Sequence, residues 1–112
     1  MRTLPESTIL ALAEPTRLRI VDLLSERPRR AGDIATSLDM SGPATSRHLR
    51  VLRVNGLIEE THQGEDARVR FYRLRPEPFA ALHAWIERVE SGWNQQLGAF
   101  KHYVESTREE DT

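Results

Sequence analysis

The chain contains no cysteine, which excludes disulfide frameworks, cysteine-ligated zinc, thiol redox sensing and cysteine nucleophiles. No apolar run approaches the ~20 residues of a membrane span, and the N-terminus lacks a signal-peptide pattern. A soluble, cytoplasmic protein is therefore expected. All but one of the 16 basic residues are arginine, whose planar fork suits bidentate contacts to carboxylate, phosphate or guanine. No glycine loop is present that would cradle a phosphate. No Ser, His, Asp or Glu pairing falls at a spacing that builds a nucleophile–base unit. Neither enzymatic activity nor a cofactor is expected. A chain of 112 residues has room for one domain with a modest core.

The formal net charge of -1 conceals a segregation. Residues 41–75 hold seven arginines against four carboxylates, whereas residues 76–112 hold three basic groups against seven acidic ones. A near-neutral total does not oppose DNA binding when positive charge is concentrated on one element. It does predict modest non-specific affinity, because few phosphates are neutralised per subunit.

The most informative stretch is 41–58. At ~100° per residue, Thr45, Leu49, Leu52 and Gly56 form one apolar stripe, and Pro43, Ala44, Arg47, Arg50 and Val51 fall opposite it. Ser46 and His48 lie on the flanks. Small residues near the helix start, then guanidinium groups and an imidazole, suit a helix lying in the DNA major groove. Ser41 is a good N-cap, Pro43 fits the first turn, and Asn55-Gly56 supplies the left-handed residue that stops the helix.

The surrounding elements fit that reading. Residues 5–13 form a first short helix. A second starts at Pro15 and runs to about Glu26; Leu18, Ile20, Val21, Leu23 and Leu24 cover more than one of its faces, so it should be sandwiched. A third runs from about Arg30 to Leu38, and Asp39-Met40-Ser41 turns into the basic helix, which makes a helix-turn-helix. Strand-like runs at 57–62 and 69–74, joined by turn residues 63–66, form a hairpin or wing. Its tip carries His62, Gln63, Arg68 and Arg70, suited to phosphates or the minor groove. Glu65 and Asp66 oppose deep insertion there, so Arg68 and Arg70 are assigned to phosphates.

After Arg75-Pro76-Glu77-Pro78 a long helix is expected over about 77–106. Phe79, Leu82, Ile86, Val89, Trp93, Leu97, Phe100 and Val104 keep to one stripe about 80° wide. Its length, about 37 Å along that stripe, exceeds what one small domain can cover. The partner expected is the same helix, or the first helix, of a second subunit, with Leu12, Leu82, Ile86, Val89, Trp93, Leu97 and Phe100 at the interface. The alternative is intrachain packing of its first half alone. The expected organisation is one domain over 1–107 and a disordered tail over 108–112.

The runs Ala11-Leu12-Ala13-Glu14-Pro15-Thr16-Arg17-Leu18-Arg19-Ile20, Ser46-Arg47-His48-Leu49-Arg50-Val51-Leu52 with Gly56-Leu57-Ile58, and Arg70-Phe71-Tyr72-Arg73-Leu74 resemble ArsR/SmtB-type winged-helix repressors over residues 8–75. The resemblance implies a mainly α fold with a small β-hairpin, terminal helices forming a homodimer interface, and a palindromic operator. It also places Ser41, Ala44, Thr45, Arg47, His48 and Arg50 in recognition-helix positions and implies release from DNA by an inducer. The chain departs from the family where the cysteine-bearing sensor site stands, reading Arg29-Arg30-Ala31-Gly32-Asp33-Ile34. Of the family's C-terminal His and carboxylate site, His102 with Glu105 matches one half. His83, about 28 Å away along the helix, lacks the carboxylate of the other half. No metal site is assigned, and the chain resembles the non-metal branch.

Two other functions compete: a winged-helix protein-interaction module without DNA binding, supported by the acidic C-terminal third, and a repressor responding to metal through His and carboxylate ligands. An effector-binding cleft near Trp85, Trp93 and Tyr103 is a further candidate, although dimer packing accounts for the same residues.

Overall fold

The computed structural model describes residues 4–62, 64, 66 and 68–110. Five helices and a hairpin appear among them: α1 (Glu6–Leu12), α2 (Pro15–Leu24), α3 (Ala31–Ser37), α4 (Gly42–Val54), β1 (Ile58–His62), β2 (Arg70–Leu74) and α5 (Pro76–Glu110). The order and type of every element follow the sequence reading. Except at the C-terminal end of α5, boundaries shift by a residue or two, and α2 stops two residues short of Glu26.

Local chemistry explains most of the joints. Glu14 caps α2, its Oε2 accepting the Arg17 backbone N–H at 2.8 Å, and Pro15 opens the helix where no N–H is needed. The Arg17 side chain donates from Nε to the Ala11 carbonyl at 2.7 Å, tying the end of α1 to the start of α2. The turn between α3 and α4 is a Schellman closure. Met40 N–H donates to Ala35 O at 2.8 Å and Asp39 N–H to Thr36 O at 3.3 Å. Asp39 takes the left-handed conformation (φ 53°) that glycine more often fills. The end of α4 repeats the motif with Gly56 (φ 76°), Leu57 N–H reaching Leu52 O at 3.0 Å.

The hairpin pairs Ile58 with Leu74, Glu60 with Tyr72 and His62 with Arg70. Arg29 adds a feature the sequence did not reveal, because Arg27-Pro28 reads only as a helix terminator. Its backbone bridges Tyr72 in both directions, at 2.8 and 3.1 Å, extending the hairpin by one residue of a third strand. Its side chain meanwhile caps α2 through the Leu23 carbonyl and pairs with Glu26 at 2.6 Å.

These elements enclose one core. Ala11, Ile20, Leu24, Ile34, Leu49, Leu52, Leu57 and Ile58 are buried, with Tyr72, Leu74 and Phe79 packed against them. Leu18 is the exception on α2, exposed on the helix's outer face. Leu52 has no accessible surface, so Leu52→Ala should lower stability in urea unfolding by about 2–5 kcal/mol. A loss below about 1 kcal/mol would mean that the site is loosely packed.

One correction concerns the end of α5. The helix continues through Arg108 to Glu110, where a disordered tail was expected, while 111 and 112 lie outside the described residues. Met1–Leu82 and His83–Thr112 form two compact units. In the second unit Ile86, Val89, Trp93, Leu97, Phe100 and Tyr103 stand exposed along the helix.

Candidate nucleic-acid interface

Helix α4 presents its side chains as the 3.6-residue period requires. Thr45, Leu49 and Leu52 face the core, and Arg47, Arg50, Val51 and Val54 face solvent. Ser41 caps the helix, its Oγ accepting the Ala44 N–H at 3.2 Å, and stays exposed beside the first turn. Ala44 is half-buried.

Thr45 corrects the assignment that resemblance suggested. It is 1% exposed, and its Oγ1 donates to the Ser41 carbonyl at 2.8 Å, so it supports the cap from the core side. Periodicity had placed it on the apolar stripe, and burial agrees with periodicity. His48, placed on the flank of the helix, also meets the cap of α2. Only 25% of its side chain is exposed, and Nδ1 lies 3.6 Å from Glu14 Oε2. The Glu14 carboxyl is held below its usual range, chiefly by the Arg17 backbone N–H, with the charge of His48 adding to the effect. His48 thus ties the α2-facing flank of α4 to the cap of α2. Val54, 73% exposed on the same face as Arg47, was missed. Its position follows from the same period and an apolar surface there can touch a thymine methyl.

The arginines divide sharply by partner. Arg53 pairs with Glu60 at 2.7 Å, Arg73 with Glu59 at 2.7 Å, and Arg75 with Glu59 and Glu77 at 3.8 and 3.7 Å. Arg70 lies 3.7 Å from Glu60, and Arg68, almost fully exposed, lies 3.9 Å from Asp66. Arg47 and Arg50 make no ion pair or hydrogen bond among the described residues. The hairpin's expected tip contacts are placed only in part, since Gln63 and Glu65 lie outside the described residues. On the hairpin's outer face Arg30 sits over the Phe71 ring at 5.9 Å.

The remaining expectations concern α1 and α5. Leu12 packs on its own chain's core, and it is Ile9 and Leu10 of α1 that stand exposed. Leu82 is half-buried at the end of the first unit, and the other five interface candidates are exposed. Trp85, Trp93 and Tyr103 lie along α5 over about 27 Å. His83 pairs with Glu87 at 2.9 Å. Among the described residues no three His, Asp or Glu side chains gather as they would around an ion. No helix among them is long and apolar enough to cross a membrane.

Comparison with known proteins places this geometry. Residues 14–60, from the α2 cap to the Glu60 carboxylate, match the model of the arsR family of bacterial regulatory proteins. The HTH-type transcriptional regulator Rv2034 of Mycobacterium tuberculosis is 33% identical, over 91% of this chain and 90% of that protein. The arsenical resistance operon repressor of Escherichia coli is 39% identical, over 80% of this chain and 73% of its own length. Among solved structures, the homodimeric winged helix-turn-helix DNA-binding domain of Mb0332 from Mycobacterium bovis superposes with a TM-score of 0.59 at 32% identity, covering 77% of each chain. With a helix-turn-helix, a wing, and near full-length likeness to such a regulator, this chain belongs to the ArsR family of winged helix-turn-helix DNA-binding transcriptional regulators.

Proposed function

We propose that the protein is a sequence-specific repressor that binds a palindromic operator as a homodimer and is released by a non-metal effector. The observation that carries this reading is the partition of the arginines: those near the hairpin are held by carboxylates, and Arg47 and Arg50 on α4 are not. An unpaired guanidinium pays no desolvation of a broken ion pair before it reaches a base edge. Ser41 and Ala44 bring the start of α4 close to the groove, His48 stands on its flank, and Arg68 and Arg70 bind phosphates beside it.

The exposed apolar stripe along α5 supports the homodimer, because a patch of that extent is unusual on a monomer, and Ile9 and Leu10 of α1 are exposed as well. The homodimeric state of the Mb0332 domain supports the same assembly. Two α4 helices would then enter successive major grooves about 34 Å apart. The repressor role has support from the Escherichia coli relative's name, and the absence of cysteine directs the effector away from thiol-bound metals.

Fluorescence anisotropy against the DNA upstream of the protein's own gene and against a random duplex tests this. Salt-sensitive preference for the upstream DNA, unchanged by chelator or zinc, is expected. Equal weak binding to both duplexes would sink the operator assignment, and release by zinc would sink the non-metal effector.

A further inference from the structure

The carboxylate of Glu60 occupies the space between the two elements that read DNA. Its Oε1 accepts from Arg53 Nη1 at 2.7 Å and from the Tyr72 hydroxyl at 3.4 Å, and its Oε2 lies 3.7 Å from Arg70 Nη1. Arg53 stands on the hairpin-facing flank of α4, and Arg70 opens β2. Strand alternation puts Glu60, Tyr72 and Arg70 on one face of the hairpin and Glu59, Phe71 and Arg73 on the other. Glu60 is only 24% exposed, and the Tyr72 phenol is kept protonated by burial and by the neighbouring carboxylate. Two guanidiniums and a phenol converging on one anion make the donor set that a phosphate diester takes.

When α4 lies in the major groove and the hairpin meets the adjacent minor groove, one phosphate strand must pass between them. We propose that Arg53, Arg70 and Tyr72 form a binding site for a backbone phosphate of that strand, held in the DNA-free protein by Glu60 as an internal substitute. The inference rests on the DNA-binding reading and adds a site to it. Glu60 then sets affinity and not selectivity, since phosphate contacts carry no base information. Each DNA must displace Glu60 from two arginines before the phosphate gains them.

Glu60→Gln keeps the hydrogen-bond acceptor for Tyr72 and removes the competing charge. Anisotropy titrations over a salt series should show affinity rising about tenfold on both operator and random duplex. The slope of log K against log salt should steepen by about one to two per subunit, and the ratio between the two duplexes should stay the same. Glu59→Gln makes the same charge change on the opposite face of the hairpin and should leave the slope within error of wild type. Arg53→Gln with Arg70→Gln in the Glu60→Gln background should abolish the gain, and circular dichroism melts confirm that each variant folds. Arg53→Gln alone, which keeps Glu60, should make the slope shallower by about one per subunit.

An unchanged slope in Glu60→Gln, or an equal gain in Glu59→Gln, would overturn the phosphate site while leaving the DNA-binding reading intact. Wild-type protein that shows no salt-sensitive binding to either duplex would remove both.

Discussion

Arg47→Ala should weaken operator binding by about one and a half to four orders of magnitude and flatten the preference for operator over random DNA. The reason lies in what a base contact is worth: a bidentate guanidinium–guanine pair contributes about 1–3 kcal/mol of discrimination, and a homodimer loses it in both half-sites. Arg47 makes no competing ion pair among the described residues, and it points from the exposed face opposite Thr45, Leu49 and Leu52. The fold should not respond, because nothing in the core depends on this side chain. Arg68→Ala serves as the contrast. That guanidinium is 96% exposed beside the turn and 3.9 Å from Asp66, so its loss should weaken binding to all sequences alike and reduce the salt slope by about one per subunit. If both variants lost affinity equally on operator and random DNA, the division between base reading and phosphate contact would be wrong.

Trp93→Glu together with Phe100→Glu should convert the protein to a monomer in sedimentation experiments at micromolar concentration. Operator affinity should fall more than 100-fold with it, because the two half-sites would no longer be held together. Trp93 is 59% and Phe100 65% exposed on α5, and buried aromatic anchors carry much of the energy of an interface, about 2 kcal/mol or more each. The winged unit Met1–Leu82 contains neither residue, so the cooperative unfolding of its core should persist. A doubly substituted protein that remained dimeric would move the interface elsewhere, to the exposed Ile9 and Leu10 of α1.

The two experiments probe different links. Arg47 concerns chemistry at one helix face, where exposure and lack of a partner decide the outcome. Trp93 and Phe100 concern a surface that a single chain does not bury. Neither outcome depends on the Glu60 site, whose signature is a change of salt slope at constant selectivity.

The sequence alone determined the features that depend on short-range chemistry. Helix period and capping residues located α4, and Ser41 and Gly56 mark its ends as their side chains and backbone freedom require. The same period sorted Thr45, Leu49 and Leu52 from Arg47 and Arg50, and turn residues followed by alternating strands announced the hairpin. Pairings between residues distant in the chain were not legible, because periodicity reports which face a residue occupies and not what lies opposite. Tertiary structure decided that His48 meets Glu14, that Leu12 turns to its own core, and that Arg29 bridges Tyr72. It also separated arginines of one composition into two kinds. Glu60 stands seven residues from Arg53 and ten from Arg70, yet only the packing of α4 against the hairpin brings all three together, leaving Arg47 and Arg50 without a carboxylate to hold them.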